Sequence, residues 1–209
     1  MINFFLYIAL FFGFCILIFA ISSFLKRQPQ NTFVRLLFGS ALILLSSIGL
    51  ALQTNYSEYL NFSSGEQIAN LAVMTGDNNN YQVKFSTKDT LEQTYFLQGN
   101  TAELDASILI WQPFMTKFHL QNSYKLEQLF ATENNVPSSQ VEMVYQLNNN
   151  KGMDIKKYAA YLPGIQSLFG SAVKIPLINK AKYAISVNND GLNVIGLNNI
   201  AQNALKTMN

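Results

Sequence analysis

Four residues in this chain have the types and setting that ligand binding would need: Asp105, Trp111, Tyr124 and Ser171. Asp105 interrupts an apolar stretch that runs from Leu104 to Trp111. In a strand, Asp105, Ser107, Leu109 and Trp111 share one face, and Leu104, Ala106, Ile108 and Ile110 share the other. A buried carboxylate without a donor is expensive. Asp105 therefore either holds a loop through backbone N–H groups or binds a ligand beside Trp111 and Tyr124. Glu103 stands two residues away, so the two resemble the paired carboxylates of glycoside hydrolysis. Residues two apart on a strand are neighbours by necessity, so that pairing carries little weight. Gly170-Ser171-Ala172 offers a turn whose N–H groups point at an anion, or simply a bend into a strand.

Catalytic constellations are otherwise thin. His119 is the only histidine, and no Gly-x-Ser-x-Gly elbow accompanies it, so a Ser-His-Asp triad has little to build on. Cys15 is the only cysteine and sits in an apolar run. It reads as a small apolar side chain facing lipid or a neighbouring helix. An intramolecular disulfide is impossible, and Cys-based zinc sites are excluded. No cofactor and no metal site is expected.

The elements that would position these residues begin with two apolar runs. Phe4 to Leu25 is 22 residues without a charge, and Leu36 to Leu52 is 17 more, or about 20 with Phe33 and Val34. At about 1.5 Å per residue, each crosses a hydrocarbon core of roughly 30 Å. Lys26, Arg27 and Arg35 lie between or beside them. Positive charge near spans is kept cytoplasmic, so the turn is expected in the cytoplasm and the rest of the chain in the periplasm of a bacterium. A cleaved signal peptide fits poorly, because Met1-Ile2-Asn3 is not basic and the first run is long. Ala9 and Gly13, and Ser47 and Ala51, recur four apart, which lets two helices approach closely. Neither span holds an Asp, Glu, Lys or His, the groups that ion pathways use.

The net charge of +2 hides a split, since all 12 acidic residues follow residue 55, together with 11 lysines. The displayed part is thus nearly neutral and has no field for nucleic acid. Its size suits one domain with its own core. The chain divides into a transmembrane hairpin at 1–53 (spans about 4–25 and 33–52), a linker at 54–65, and a periplasmic domain at 66–209. Tyr56, Tyr59 and Phe62 in the linker suit the headgroup level.

Alternation and turn residues predict strands over Gln67–Thr75, Tyr81–Ser86, Leu91–Leu97 and Glu103–Trp111, joined as an antiparallel meander. Asn122 is placed to cap a helix over Ser123–Phe130, where Tyr124, Leu126, Leu129 and Phe130 are apolar. A strand follows at Val141–Leu147, then a helix from Asp154 to Tyr161, stopped by Pro163-Gly164, and a helical turn over Ile165–Phe169. Strands at Ala172–Pro176, Tyr183–Val187 and Leu192–Leu197 come next, the last two joined by the Asn188-Asn189-Asp190-Gly191 turn. A helix over Asn199–Met208 closes the chain. The expected fold is a two-helix transmembrane hairpin followed by an α+β domain with a mostly antiparallel sheet.

The segment Phe96-Leu97-Gln98-Gly99-Asn100-Thr101-Ala102-Glu103-Leu104-Asp105-Ala106-Ser107-Ile108-Leu109-Ile110-Trp111 resembles one found in small proteobacterial inner-membrane proteins. That family carries Gly-Asp-x-Trp-x-Leu-Asp-Ala-Arg-x-Leu-Lys-Trp after two N-terminal spans. Tyr124-Lys125-Leu126-Glu127-Gln128-Leu129 is similar to its Tyr-Arg-Leu-Asp-Arg-Leu, and Gly170-Ser171-Ala172 with Pro176 to its Gly-Ser-Ala-x-x-x-Pro. Tyr183, Ser186 and Gly191-Leu192 complete the match. Asn100, Ser107 and Ile110 replace the family's Asp, Arg and Lys. Members are often labelled multidrug transporter or cation/multidrug efflux pump, so the resemblance implies a two-span protein and, as one reading, a subunit of an efflux system. The residues themselves favour an accessory or binding module that meets the lipid bilayer through two helices and an envelope protein through its domain. The remaining reading is a membrane-tethered enzyme acting on lipid or cell-wall substrate, with Asp105 and His119 as players.

Overall fold

The computed structural model describes residues 2–77, 79–88, 90–118, 120–133, 143–148, 154–162 and 164–208. It divides into two units, each with its own contacts. His119, and residues 141–142 of the strand expected there, lie outside the described residues.

The first unit is an antiparallel helical hairpin, α1 (Ile2–Leu25) and α2 (Pro29–Tyr56). Both are long and apolar enough to cross a membrane. Their packing is not that of a soluble core. Only 11% of each apolar window is buried, and Phe4, Phe11, Phe14, Phe19 and Phe38 all point outward. Exposed apolar surface of that extent marks a contact with a membrane or another protein. α1 stops at a left-handed cap. Arg27 has φ 54, its N–H meets the Phe24 carbonyl, and the Gln28 N–H meets the Ser23 carbonyl. Arg35 reaches back across the turn to the Phe19 carbonyl and the Ser23 hydroxyl.

Glycines bring the two helices together. A Cβ on Gly13 would stand 2.7 Å from Ile43 Cγ1, and one on Gly39 would stand 2.8 Å from Leu17 Cδ2. Of the two small pairs expected at the contact, Gly13 is buried there and Ala9 and Ala51 are half-buried, but Ser47 is exposed. Ser46 is turned in instead, with its hydroxyl on the Leu42 carbonyl.

The second unit is an α+β domain in which strands dominate. Among the described residues, two five-stranded antiparallel sheets pack face to face. One has the order β1 (Leu60–Asn61), β6 (Ser123–Thr132), β5 (Thr101–Trp111), β8 (Ile165–Pro176), with β7 (Val144–Gln146) also on β6. The other has the order β10 (Gly191–Gly196), β9 (Lys182–Asn188), β2 (Glu66–Asp77), β3 (Asn80–Thr87), β4 (Gln93–Gln98). The core between them takes Leu104, Ile108 and Leu129 from the first, and Leu71, Val83 and Ile185 from the second. Tyr183 is fully buried with its hydroxyl on the Pro176 carbonyl at 2.8 Å, and burial pushes its phenol up to about 12. α3 (Ile155–Tyr158) is a single turn, and α4 (Asn199–Met208) buries Ala201 and Ala204. The side-chain oxygen of Asn198 caps α4 by accepting the Ala201 N–H at 3.0 Å.

Four local expectations change. The meander is broken at Gly99-Asn100, because β4 and β5 belong to different sheets. Ser123–Phe130 is not a helix but part of β6, the neighbour of β5. Its apolar spacing is irregular because one residue, Glu127, is inserted between the register pairs Asp105–Gln128 and Ala106–Leu126. Such a bulge puts two successive residues on one face and resets the alternation. Ile165–Phe169 is likewise strand, paired with β5 across a second irregularity at Ile110/Trp111. Two of the three linker aromatics are also buried, Phe62 in the core of the sandwich and Tyr59 against the Lys125 ammonium. Phe62 packs edge-on against Tyr124. The hairpin at Asn188–Gly191 and the last helix form as the residues indicate.

Candidate functional site

The outer face of the β5–β6–β8 sheet carries the densest polar constellation among the described residues. Antiparallel partners opposite each other point to the same side. Register places Ser107 opposite Lys125, Asp105 opposite Gln128, and Glu103 opposite Lys174. The β6 bulge adds Glu127 to that row. Without it, Leu129 would point outward and Gln128 inward.

Glu127 is the hub. The Ser107 hydroxyl donates to Oε1, and Lys156 Nζ lies 3.2 Å from the same oxygen. Oε2 takes Asn148 Nδ2 at 2.7 Å and faces Lys125 Nζ at 3.7 Å. Lys125 is only 5% exposed, with its ammonium 5.5 Å from the centre of the Tyr59 ring. Asn148 also donates to the Leu126 and Glu127 carbonyls. The segment after β7 is therefore fastened to β6 through one carboxylate. Burial pushes the Glu127 carboxyl up, but the Ser107 hydrogen bond and the Lys125 and Lys156 ammoniums outweigh it and hold it below its ordinary value.

A serine beside a lysine is the pairing some hydrolases use as nucleophile and base. Here the Ser107 hydroxyl is fully enclosed and spends its proton on Glu127. Glu127 itself accepts from Ser107, Asn148 and Lys156 and faces Lys125, so it has no lone pair directed at a substrate. The arrangement holds a strap on a sheet; it does not present a nucleophile.

The four residues singled out from the sequence do not meet at one point. Asp105 lies on the outer face and accepts from Gln128 Nε2 at 2.7 Å, which in turn receives Gln146. Trp111 ends β5 on that same face, with its backbone N–H on Asn122 Oδ1 at 3.1 Å. Tyr124 is opposite Ile108 on the inner face and is part of the core. Ser171 stands at the seam between the sheets, its hydroxyl accepting the Leu192 N–H at 2.9 Å. An open groove of about 520 Å³, lined by Gly76, Tyr81, Phe96, Leu97 and Met143 among others, contains none of the four.

Glu103 supplies a test of this face. Burial and the nearby Asp105 push its carboxyl above its ordinary value, and Lys174 pulls the other way. A raised carboxyl contributes stability that is complete below the unfolded value and is lost as pH rises through the folded one. Glu103→Gln is therefore expected to raise the denaturation midpoint at pH 7 and to leave it unchanged near pH 4, as read by chemical unfolding at the two pH values.

Ser107, Lys125, Glu127, Asn148 and Lys156 were not distinguishable in the sequence as a group. The one available signal was the Lys-x-Glu repeat at Lys125 and Glu127, which alternates as a strand face does. No family model, curated protein or solved structure matches the chain.

Proposed function

We propose that this chain is a membrane-anchored accessory or binding module. Its hairpin sits in a bacterial inner membrane with the Lys26–Arg27 turn in the cytoplasm, and its β-sandwich is displayed in the periplasm to engage an envelope protein. The observation that carries the reading is the outward-facing phenylalanine surface of α1 and α2, of which only 11% of each apolar window is buried. That surface requires hydrocarbon around it. The absence of charged groups within the phenylalanine-rich α1 supports an anchor over an ion pathway. The saturated Glu127 hub supports a rigid display surface over a reactive one.

In-cell photo-crosslinking of the full-length protein in its native membrane tests the reading. A recurrent envelope protein attached to the sandwich, and missing when only the hairpin is expressed, is the expected result. Capture no greater than that of the hairpin alone would remove the binding role.

A further inference from the structure

The two edges of the β10–β9–β2–β3–β4 sheet are finished differently. At one edge, β10 is occupied at both ends. Its Leu192 N–H bonds the Ser171 hydroxyl at 2.9 Å, and its Gly196 carbonyl accepts Gln202 Nε2 at 3.2 Å, with the α4 backbone packed against that glycine. At the other edge, β4 pairs only with β3. The Gly99 N–H bonds the Asn79 carbonyl at 2.8 Å, which sets the phase of that ladder. Bonded pairs alternate with non-bonded ones in an antiparallel ladder. Tyr95 and Leu97 therefore turn their backbone groups to Val83 and Tyr81, and Thr94, Phe96 and Gln98 turn theirs to the open edge. Among the described residues, one side chain reaches that row: the Tyr145 hydroxyl donates to the Phe96 carbonyl at 2.9 Å. The carbonyl oxygen keeps a second lone pair. Proteins blunt open edges with lysine, proline, bulges or a covering element. β4 has none of the first three: its sequence, Gln-Thr-Tyr-Phe-Leu-Gln, holds no charge and no proline, and its register with β3 is unbroken.

We propose that β4 pairs with β4 of a second copy of this chain, antiparallel about Phe96, joining two five-stranded sheets edge to edge. The open row is complementary to itself in its partial charges. About that centre, the N–H and C=O of Phe96 meet the C=O and N–H of the partner's Phe96, and those of Thr94 meet those of the partner's Gln98. No formal charge within either strand opposes the approach. Phe96 is 63% exposed on the outer face, opposite Gln82, and at the centre of the pairing the two phenylalanine rings cover each other. Leu91, at 90% exposure, precedes β4 by two residues. The same register carries it past the partner's Gln98, the end of the strand where Asn80, Tyr81, Leu97 and Met143 line the open groove of about 520 Å³. Because β10 is occupied, the sheet grows at one edge only, and the assembly closes as a two-fold dimer rather than a filament. The pairing concerns the sandwich alone and does not depend on the anchor reading.

The test uses the full-length protein in the membranes of the cells that express it, in a Cys15→Ser background, with a short thiol-to-thiol crosslinker. Thr94→Cys and Gln98→Cys are made in separate chains, both at exposed positions. In the proposed register Thr94 stands opposite the partner's Gln98, with Cα atoms about 5.5 Å apart. Two Thr94 residues stand four residues apart along the strand, about 13 Å. Co-expressed Thr94→Cys and Gln98→Cys chains are therefore expected to crosslink to each other, and either variant expressed alone is expected not to. Adding Phe96→Lys to both chains is expected to abolish the crosslink, because it sets like charges opposite each other at the centre. Phe96 is exposed, so the urea midpoint read by Trp111 fluorescence is expected to stay unchanged. No crosslink in the mixed pair overturns the dimer. Equal crosslinking in each variant alone overturns the register, and a crosslink that survives Phe96→Lys overturns the central pairing. Attachment of Thr94→Cys to a different polypeptide overturns the second copy as the occupant of this edge.

Discussion

Glu127→Ala is expected to destabilise the sandwich by about 1–3 kcal/mol, because it removes the acceptor of the enclosed Ser107 hydroxyl together with the carboxylate that faces the buried Lys125 ammonium. The loss is larger than for an exposed ion pair, since Lys125 is only 5% exposed and cannot recover water. It also strips Ser107, Asn148 and Lys156 of their shared acceptor. Urea unfolding of the detergent-solubilised protein, followed by the fluorescence of its single tryptophan, Trp111, reads the effect. Lys125→Met is expected to cost much less, because Ser107, Asn148 and Lys156 remain on the carboxylate. Combining Lys125→Met with Glu127→Leu is expected to recover only the part of the loss that the Lys125 ammonium causes, because Ser107, Asn148 and Lys156 still lack the Glu127 acceptor. A double variant as unstable as Glu127→Ala alone would show that Lys125 is not the source of the cost.

The same carboxylate fixes a pH dependence. Its folded-state value is lowered, so its contribution is present above the unfolded value and is lost as pH falls through the folded one. Stability of the native sandwich is expected to decline as pH falls below about 4.5, and Glu127→Gln to flatten that decline. Glu103 acts with the opposite sign and above that range, so the fall in stability between pH 7 and pH 4 is larger overall in Glu103→Gln than in the native chain.

Gly99→Val is expected to be the other severe change. The chain leaves one sheet and enters the next at this residue, with φ +144, a conformation that side chains rarely adopt. A Cβ there would stand 2.7 Å from the Thr132 carbonyl oxygen, which belongs to β6 and cannot retreat without breaking its ladder. The Gly99 and Asn100 N–H groups bond the Asn79 and Thr132 carbonyls, so a shift also breaks bonds on both sides. Strain of about 1–3 kcal/mol from the backbone alone, with the contact added to it, is expected to lower expression of folded protein and the unfolding midpoint together. Gly170→Ala is the matched control. Nothing stands within 4 Å of its added Cβ, so it is expected to be close to neutral.

How much of this was legible follows from which signals have a single meaning. The hairpin was legible because 22 uncharged residues admit few alternatives. The β9–β10 pair was legible because Asn-Asp-Gly between alternating runs specifies a tight turn. β6 was not, because the bulge at Glu127 spaces its core residues Tyr124, Leu126, Leu129 and Ala131 unevenly, which imitates a helical face. The sheet change at Gly99 was hidden for another reason. A Gly-Asn turn looks the same whether the strands it joins pair with each other or separate. The Glu127 hub was invisible for both reasons together. Two of its members sat on the misread segment, and Asn148 and Lys156 lie some twenty residues or more along the chain from it. Of the four residues proposed from the sequence, Asp105 and Trp111 do share a face, as alternation required, but the register of β6 turned Tyr124 to the other side.

Compartment accessibility tests the central claim most directly. In a Cys15→Ser background, single cysteines at Gln28, in the turn between α1 and α2, and at Lys180, in the sandwich, are exposed to a membrane-impermeant maleimide in spheroplasts. The anchored, displayed module predicts that Lys180→Cys reacts in intact spheroplasts and Gln28→Cys only after permeabilisation. Reaction at Gln28 with protection at Lys180, or equal reaction at both before permeabilisation, would contradict it.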